Sequence, residues 1–190
     1  DVDYLSNGRM DFGVGIGWLR EEFENLDMDF ATRAARTEEY ILAMRALWSD
    51  GVSEFSGQTV NLQPCHFNPK PVQKPHPPIY FGGESDAAMR RVARLGDGWY
   101  GFDLSPEQLQ EKLVSLDAAL AATGRSRSDI DLVVGPNRHP VNEDTLAAYK
   151  AAGVDQLVVP VFAGKLDKLS DRLDAMMALG GDYPKSFKAS

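Results

Sequence analysis

Ile79-Tyr80-Phe81-Gly82-Gly83-Glu84-Ser85, continued by Asp86 to Leu95 and then Gly96-Asp97-Gly98-Trp99-Tyr100, holds one complete strand–helix–strand unit. Ile79-Tyr80-Phe81 is a short apolar, β-favouring run that stops at two glycines. Ser85 stands where a helix N-cap is needed, and Ala88, Met89, Val92 and Leu95 recur at the spacing of one helix face. Gly98-Trp99-Tyr100 then resumes a brief strand. Strands joined through a helix pair in parallel, with a right-handed crossover.

The unit repeats on both sides. Downstream, Ser105-Pro106-Glu107-Gln108 starts a helix with Ser at the N-cap, Pro at the first helical position and Gln at the capping-box position. That helix presents Leu109, Leu113, Leu116 and Leu120 and stops at Gly124. Ile130 to Val134 is the next strand, Asn142 caps a helix running to Gly153, and Gln156 to Val161 is another apolar strand. A last helix carries Leu166, Leu169, Leu173 and Met176 and ends at Gly180-Gly181. Upstream, Met10 to Gly17 is a short strand running into glycines. The acidic residues Glu21, Glu22 and Glu24 follow as a solvated face, and a helix over roughly Ala31 to Trp48 puts Tyr40, Ile41, Met44, Leu47 and Trp48 on one side.

Between Asp50 and Pro78 the alternation breaks. Val52 to Val60 alternates around Ser56-Gly57 as a small hairpin. Six prolines between Pro64 and Pro78 then exclude regular helix or central strand. This connection leads from a helix into a strand, so in a β/α barrel it lies opposite the active face and serves stability or association. The whole chain reads as one α/β domain over residues 1–190, with 50–78 as a proline-rich insertion. Five strands alternating with five helices fit a doubly wound sheet or an incomplete (β/α)8 barrel, and periodicity does not separate them.

With 43% hydrophobic and 25% charged residues, the 190-residue chain has the composition of a globular protein able to bury one core. Its formal charge of −8, with scattered Lys and Arg, argues against a nucleic-acid surface. No apolar run has membrane-spanning length and no signal pattern opens the chain, so the expected place is the cytoplasm, away from membranes. A lone cysteine, Cys65, forms no intrachain disulfide and reads as structural.

In either architecture a ligand sits at the carboxyl ends of the strands. The residues to weigh there are Gly15-Ile16-Gly17-Trp18, Gly82-Gly83-Glu84-Ser85, Tyr100-Gly101-Phe102, Gly135-Pro136-Asn137-Arg138-His139 and Pro160-Val161-Phe162. Gly82-Gly83-Glu84-Ser85 offers a close backbone approach, helix N–H groups and a hydroxyl to a phosphate; read otherwise, it is a tight turn with a capping serine. Glu84 suits a phosphate only if its backbone faces the ligand. Gly13-Val14-Gly15-Ile16-Gly17 lacks the spacing of a dinucleotide loop, but its small residues leave room for a flat ring. His66, His76 and His139 lack the spacing of a metal site. His139 is the local candidate for an acid or base, set against a plain loop histidine. Trp99, beside a strand end, is a candidate stacking surface.

Several stretches in order carry a family resemblance over nearly the whole chain. Leu5-Ser6-Asn7-Gly8-Arg9 leading into Phe12 to Trp18 resembles the fourth-strand region of the luciferase-like monooxygenases. Arg36-Thr37-Glu38-Glu39-Tyr40 through Leu47-Trp48 is similar to the helix that follows there. Lys70 to Ile79, Gly82-Gly83 and Arg94-Leu95-Gly96-Asp97-Gly98-Trp99 resemble its deazaflavin (F420)-dependent branch. The resemblance implies a TIM-like (β/α)8 barrel of which this chain supplies about five β/α units, strands four to eight. It implies a cofactor phosphate near Gly83, Glu84, Ser85 and Ala88, and a ring system beside Gly15, Ile16 and Gly17. Flavin mononucleotide (FMN)-binding relatives can carry arginine where Ile16 stands, so F420 is preferred and FMN is the alternative. It also implies three earlier β/α units that this sequence does not hold. The expected activity is hydride transfer between F420 or flavin and a small organic substrate, with a homodimer, or a missing N-terminal half, covering open sheet edges. The alternative is a catalytically silent half-barrel or truncated fragment that binds cofactor weakly or acts only as an assembly partner.

Overall fold

The computed structural model describes residues 1–160 and, beyond them, positions 171, 174, 177 and 178. A short helix α1 (Val2–Leu5) leads to strand β1 (Phe12–Val14), then helix α2 (Arg20–Asn25), a 3-10 turn (Phe30–Thr32) and helix α3 (Arg33–Trp48). An antiparallel hairpin, β2 (Ser53–Ser56) and β3 (Asn61–Cys65), packs on α3 and stands apart from the main sheet. The alternation then runs β4 (Ile79–Gly82), α4 (Asp86–Leu95), β5 (Gly98–Phe102), α5 (Pro106–Ala121), β6 (Asp131–Gly135), α6 (Glu143–Ala151) and β7 (Gln156–Leu157).

The main sheet has five strands in the order β1-β4-β5-β6-β7, all neighbouring pairs parallel. The order therefore advances one way without reversing. A doubly wound sheet reverses at a switch point; among the described residues there is no such reversal, an order consistent with a β/α barrel. Among the described residues the sheet is not closed on itself, and β1 and β7 form its two edges.

The local chemistry explains the elements. Ser105 accepts from the N–H of Gln108, whose side chain returns a bond to Ser105 N–H, and Pro106 fills the first helical position. Asn142 and Thr145 make the equivalent reciprocal cap on α6. The face of α5 formed by Leu109, Leu113, Leu116 and Leu120 is buried. It meets Ile79 and Phe81 of β4, Trp99 of β5 and Leu132 and Val134 of β6 in one core, which Met89, Val92 and Tyr149 complete. On α3, Ile41 belongs to this core with Met44 and Trp48 at its margin, whereas Tyr40 remains exposed.

The hairpin is longer than its alternation suggests, with a second strand that runs through Pro64 to Cys65. A two-stranded ribbon is all edge, so a proline with no N–H is tolerated there. Glu39 on α3 ties the hairpin turn down, accepting from the N–H groups of Gln58, Thr59 and Val60. The connection after it enters the amino end of β4 and is pinned by buried Asp3, which accepts from Val72 N–H, Gln73 N–H and the Gln73 side chain. No described helix is long and apolar enough to cross a membrane. The end of the last strand at Val161, the turn residue Phe162 and the final helix through Leu166, Leu169, Leu173 and Met176 lie outside the described residues.

Candidate functional site

Alternation along the strands gives the sheet two unlike faces. Ile79, Phe81, Trp99, Leu132 and Val134 point into the helix-covered core. The other face is built of Gly13, Tyr80, Gly82, Gly98, Tyr100, Phe102, Asp131, Val133 and Gly135, and no described helix covers it. Register lines these residues in rows: Gly13, Tyr80, Gly98 and Asp131 side by side, then Gly82, Tyr100 and Val133, then Phe102 and Gly135 at the carboxyl edge. Each tyrosine lies across a neighbouring glycine. A Cβ at Gly98 would fall 2.3 Å from Tyr80 Cδ1, and one at Gly135 would fall 2.4 Å from the Tyr100 hydroxyl oxygen. Tyr80 crosses Gly98 to donate to Asp131 Oδ2 at 2.6 Å. Burial first, then the Asp131 carboxylate, raise the Tyr80 phenol above its usual range.

The turn after β4 is the best-formed part of the carboxyl edge. Gly83 has φ +104°, a conformation that side chains rarely adopt, and a Cβ there would come within 3.1 Å of Ala88 Cβ. Its carbonyl accepts from the indole N–H of Trp99 at 2.9 Å. Glu84 turns its carboxylate sideways onto Phe102 N–H, 2.9 Å away at the end of β5. The awkward negative charge is thus occupied within the protein, and backbone rather than carboxylate is presented by the turn. Ser85 caps α4 by accepting from Ala88 N–H, yet a hydroxyl still has its own proton to donate. The N–H groups of Asp86 and Ala87 have no partner within the helix. A glycine cradle, a serine hydroxyl and free first-turn N–H groups form a donor set suited to an anionic phosphate. The capping and phosphate readings of Ser85 are compatible.

Two expected contacts move to supporting positions. Trp99 is fully buried with its N–H engaged, so it braces the Gly83 turn from below instead of offering a ring to a ligand. Ala88 is buried too, and Ser85 already takes its N–H. After β1, Gly15 and Gly17 are exposed and Ile16 half-buried. There is open space at Gly15, whereas Gly17 adopts φ +80° against the Phe23 ring.

His139 lies after β6, three strand spacings or about 14 Å from the end of β1 at roughly 4.8 Å per step. Its Nε2 is 3.1 Å from the Asp103 carbonyl oxygen and must donate to it. The neutral ring then has a lone pair, not a proton, at Nδ1. The expected acid or base therefore spends Nε2 on bracing a loop, and only Nδ1 is left for such a role. Asp103 organises that loop: its N–H donates to Gly135 O at 2.6 Å, its Oδ1 accepts from Arg138 N–H at 2.9 Å, and its Oδ2 pairs with the Arg138 guanidinium. Hydrogen bonds from Arg138 hold the Asp103 carboxyl below its usual range.

Sequence reading named Tyr100 and Asn137 among the strand-end residues without giving either a role, and it missed Asp103. The available signal was the two-residue period of β5, which must put Tyr100 opposite the buried Trp99. Among the described residues no group of three His, Cys, Asp or Glu is placed to hold a metal ion. Two shallow hollows lie one on the hairpin from Glu54 to Pro64 and one at Glu24, Asp27, Met28 and Asp29, and neither is lined by the turn after β4.

Comparison with known proteins gives a consistent result. The profile of the family described as luciferase-like monooxygenase matches residues 1–179. An FMNH(2)-dependent dimethylsulfone monooxygenase of Pseudomonas putida is 29% identical over 147 residues, covering 76% of this chain and 39% of that protein. An uncharacterized protein of Mycobacterium tuberculosis is 32% identical over 158 residues, 83% of this chain and 54% of that one. The crystal structure of the monooxygenase RslO1 from Streptomyces bottropensis superposes with a TM-score of 0.62 at 25% identity, covering 96% of this chain and 52% of that one. An F420-dependent secondary alcohol dehydrogenase shares the fold at a TM-score of 0.63 and 22% identity, over 79% of this chain and 46% of its own. The chain thus spans about half the length, or less, of the relatives it matches.

Proposed function

Because the chain belongs to the luciferase-like monooxygenase family, we infer that it is the phosphate-holding part of a flavin- or F420-dependent oxidoreductase built on a β/α barrel. The observation that carries this reading is the turn after β4. Gly83 in its special conformation, Ser85 with a free proton and a Glu84 carboxylate diverted to Phe102 leave backbone donors facing the strand ends. Gly83, Glu84 and Ser85 would hold the cofactor phosphate, and the exposed Gly15-Ile16-Gly17 turn would leave room for its ring system. When bound, the cofactor supplies hydride or oxygen chemistry to a small organic substrate. The residues of this chain bind, orient and shield.

The name of the Pseudomonas relative favours flavin, while Ile16 and the Arg94-to-Trp99 stretch favour F420. F420 is the preferred cofactor in this reading. Further β/α units or a second copy of the chain would cover the edges β1 and β7, because open parallel edges invite association. The other reading, a silent half that only assembles, draws on the uncovered sheet face.

Titration of the purified chain with F420 and, separately, FMN, followed by fluorescence and oligomeric state, tests this. Saturable F420 binding well above that of FMN supports the proposal. Saturable FMN binding alone overturns the preference for F420. Binding of neither overturns the phosphate-holding assignment for this chain.

A further inference from the structure

The sheet face opposite the helices holds a tyrosine whose hydroxyl has no protein partner among the described residues. Tyr80 and Tyr149 each use their hydroxyl at 2.6 Å, on Asp131 and on the Leu104 carbonyl. Tyr100 is half-buried, and among the described residues its hydroxyl bonds to no protein group. Its backbone pairs with Val133, but its ring leans two residues further along the strand, over Gly135 at the carboxyl edge. A Cβ at Gly135 would lie 2.4 Å from the hydroxyl oxygen, so the glycine is what admits the ring.

A second donor stands beside it. The same Cβ position is 3.4 Å from Asn137 Nδ2, so the two donors are separated by no more than about 6 Å, the two distances together. Asn137 Nδ2 spends one proton on Gly135 O at 3.3 Å, which fixes the amide and leaves its second proton available. Asp103 N–H also binds Gly135 O, at 2.6 Å, which anchors the loop.

We propose that the Tyr100 hydroxyl and the Asn137 side-chain amide form a two-donor seat for one oxygen acceptor of the substrate, a ketone or aldehyde carbonyl or the corresponding alcohol oxygen. Two hydrogen-bond donors converging on one oxygen polarise a carbonyl and stabilise negative charge developing on it. The term substrate rests on the oxidoreductase reading; the seat itself rests on these donors. Tyr100 and Asn137 thereby add two donors to the carboxyl edge beside the loop that His139 braces.

The test uses acetophenone carrying 13C at its carbonyl, added to the full chain and read by isotope-edited infrared difference spectroscopy. In the unaltered chain the bound carbonyl band shifts to lower wavenumber. Tyr100→Phe and Asn137→Ala each reverse part of that shift and weaken binding about two- to tenfold, as loss of one neutral hydrogen bond implies. Tyr80→Phe, whose hydroxyl belongs to Asp131, leaves the band in place. Tyr100→Phe keeps its melting temperature, because the lost hydroxyl had no protein partner. A shifted band that survives in both seat variants overturns the proposal, and so does the absence of any shifted band in the unaltered chain. A parallel F420 titration keeps the two claims apart: lost cofactor binding with a persistent carbonyl band removes the cofactor reading and leaves the seat standing.

Discussion

The two faces of the five-stranded sheet come from the same strands and differ in almost everything else. One carries Ile79, Phe81, Trp99, Leu132 and Val134 into a core sealed by α4 and α5. The other alternates glycine with tyrosine and carries Asp131, with Gly98, Val133 and Gly135 buried and the Tyr80 and Tyr100 rings half-buried. The difference separates two tasks. Burial on the helix side supplies the stability, and the opposite face gives up side-chain volume at its glycines to shape a surface near the strand ends. The turn after β4 joins them, because Trp99, buried on the helix side, donates to the Gly83 carbonyl.

The sharpest way to break this division is Trp99→Ala. It removes a fully buried ring and the donor to Gly83 at once. It should cost about 3–5 kcal/mol in denaturant unfolding; a loss below about 1 kcal/mol would show that the helix side does not carry the stability. Gly98→Ala comes next. Its Cβ would meet Tyr80 Cδ1 at 2.3 Å and force the ring off Asp131, for roughly 1–3 kcal/mol. Gly13→Ala, on the same face with open space around it, should change stability by about 0.5 kcal/mol or less. Equal costs at the two glycines would mean that the tyrosine–glycine packing is not what shapes this face.

Glu84→Gln tests the junction with a smaller effect. Replacing the carboxylate by an amide weakens a charge-assisted bond to Phe102 N–H, by about 1 kcal/mol. It should lower F420 or FMN affinity several-fold by loosening the turn while the melting temperature moves little. The smallest effect lies far from the site, at Glu39. Hydrogen bonds, first from Thr59 N–H and then from its neighbours, lower this carboxyl from 4.5 to about 2. A carboxyl held low in the folded state contributes stability that is complete above its unfolded value and is lost as pH falls through the folded one. The amide resonances of Gln58, Thr59 and Val60 should therefore titrate together between pH 4.5 and about 2, and Glu39→Gln should abolish that titration without changing cofactor affinity.

What was legible in the sequence follows from how local each cause is. Caps at Ser85, Ser105 and Asn142 are signals of three or four residues, and the elements they start appear where expected. Strand order is not local. The alternation allowed two architectures, and the pairing of β1 with β4 across the hairpin and the proline-rich connection could not be read from it. The turn after β4 was visible as glycines before a capped helix, but the side-chain partner of Glu84 lies 18 residues away and could not be read. His139 was chosen for its residue type. Its commitment to the Asp103 carbonyl depends on two turns meeting across neighbouring strands. Tyr100 was legible as a strand-end residue but not as a donor, because the strand period puts it on the face opposite Trp99 while its reach to Gly135 depends on the neighbouring strand.

The most direct test of the central claim, that the turn after β4 holds the phosphate, is an amide-resolved NMR titration of the chain with F420 and with FMN. The account predicts that the largest shifts fall on Gly83, Glu84, Ser85, Asp86 and Ala87, with a second group at Gly15 to Gly17, while the hairpin at Gln58 to Val60 stays still. Shifts concentrated on the hairpin or on α2, or saturable binding that leaves Gly83 to Ala87 unmoved, would contradict it.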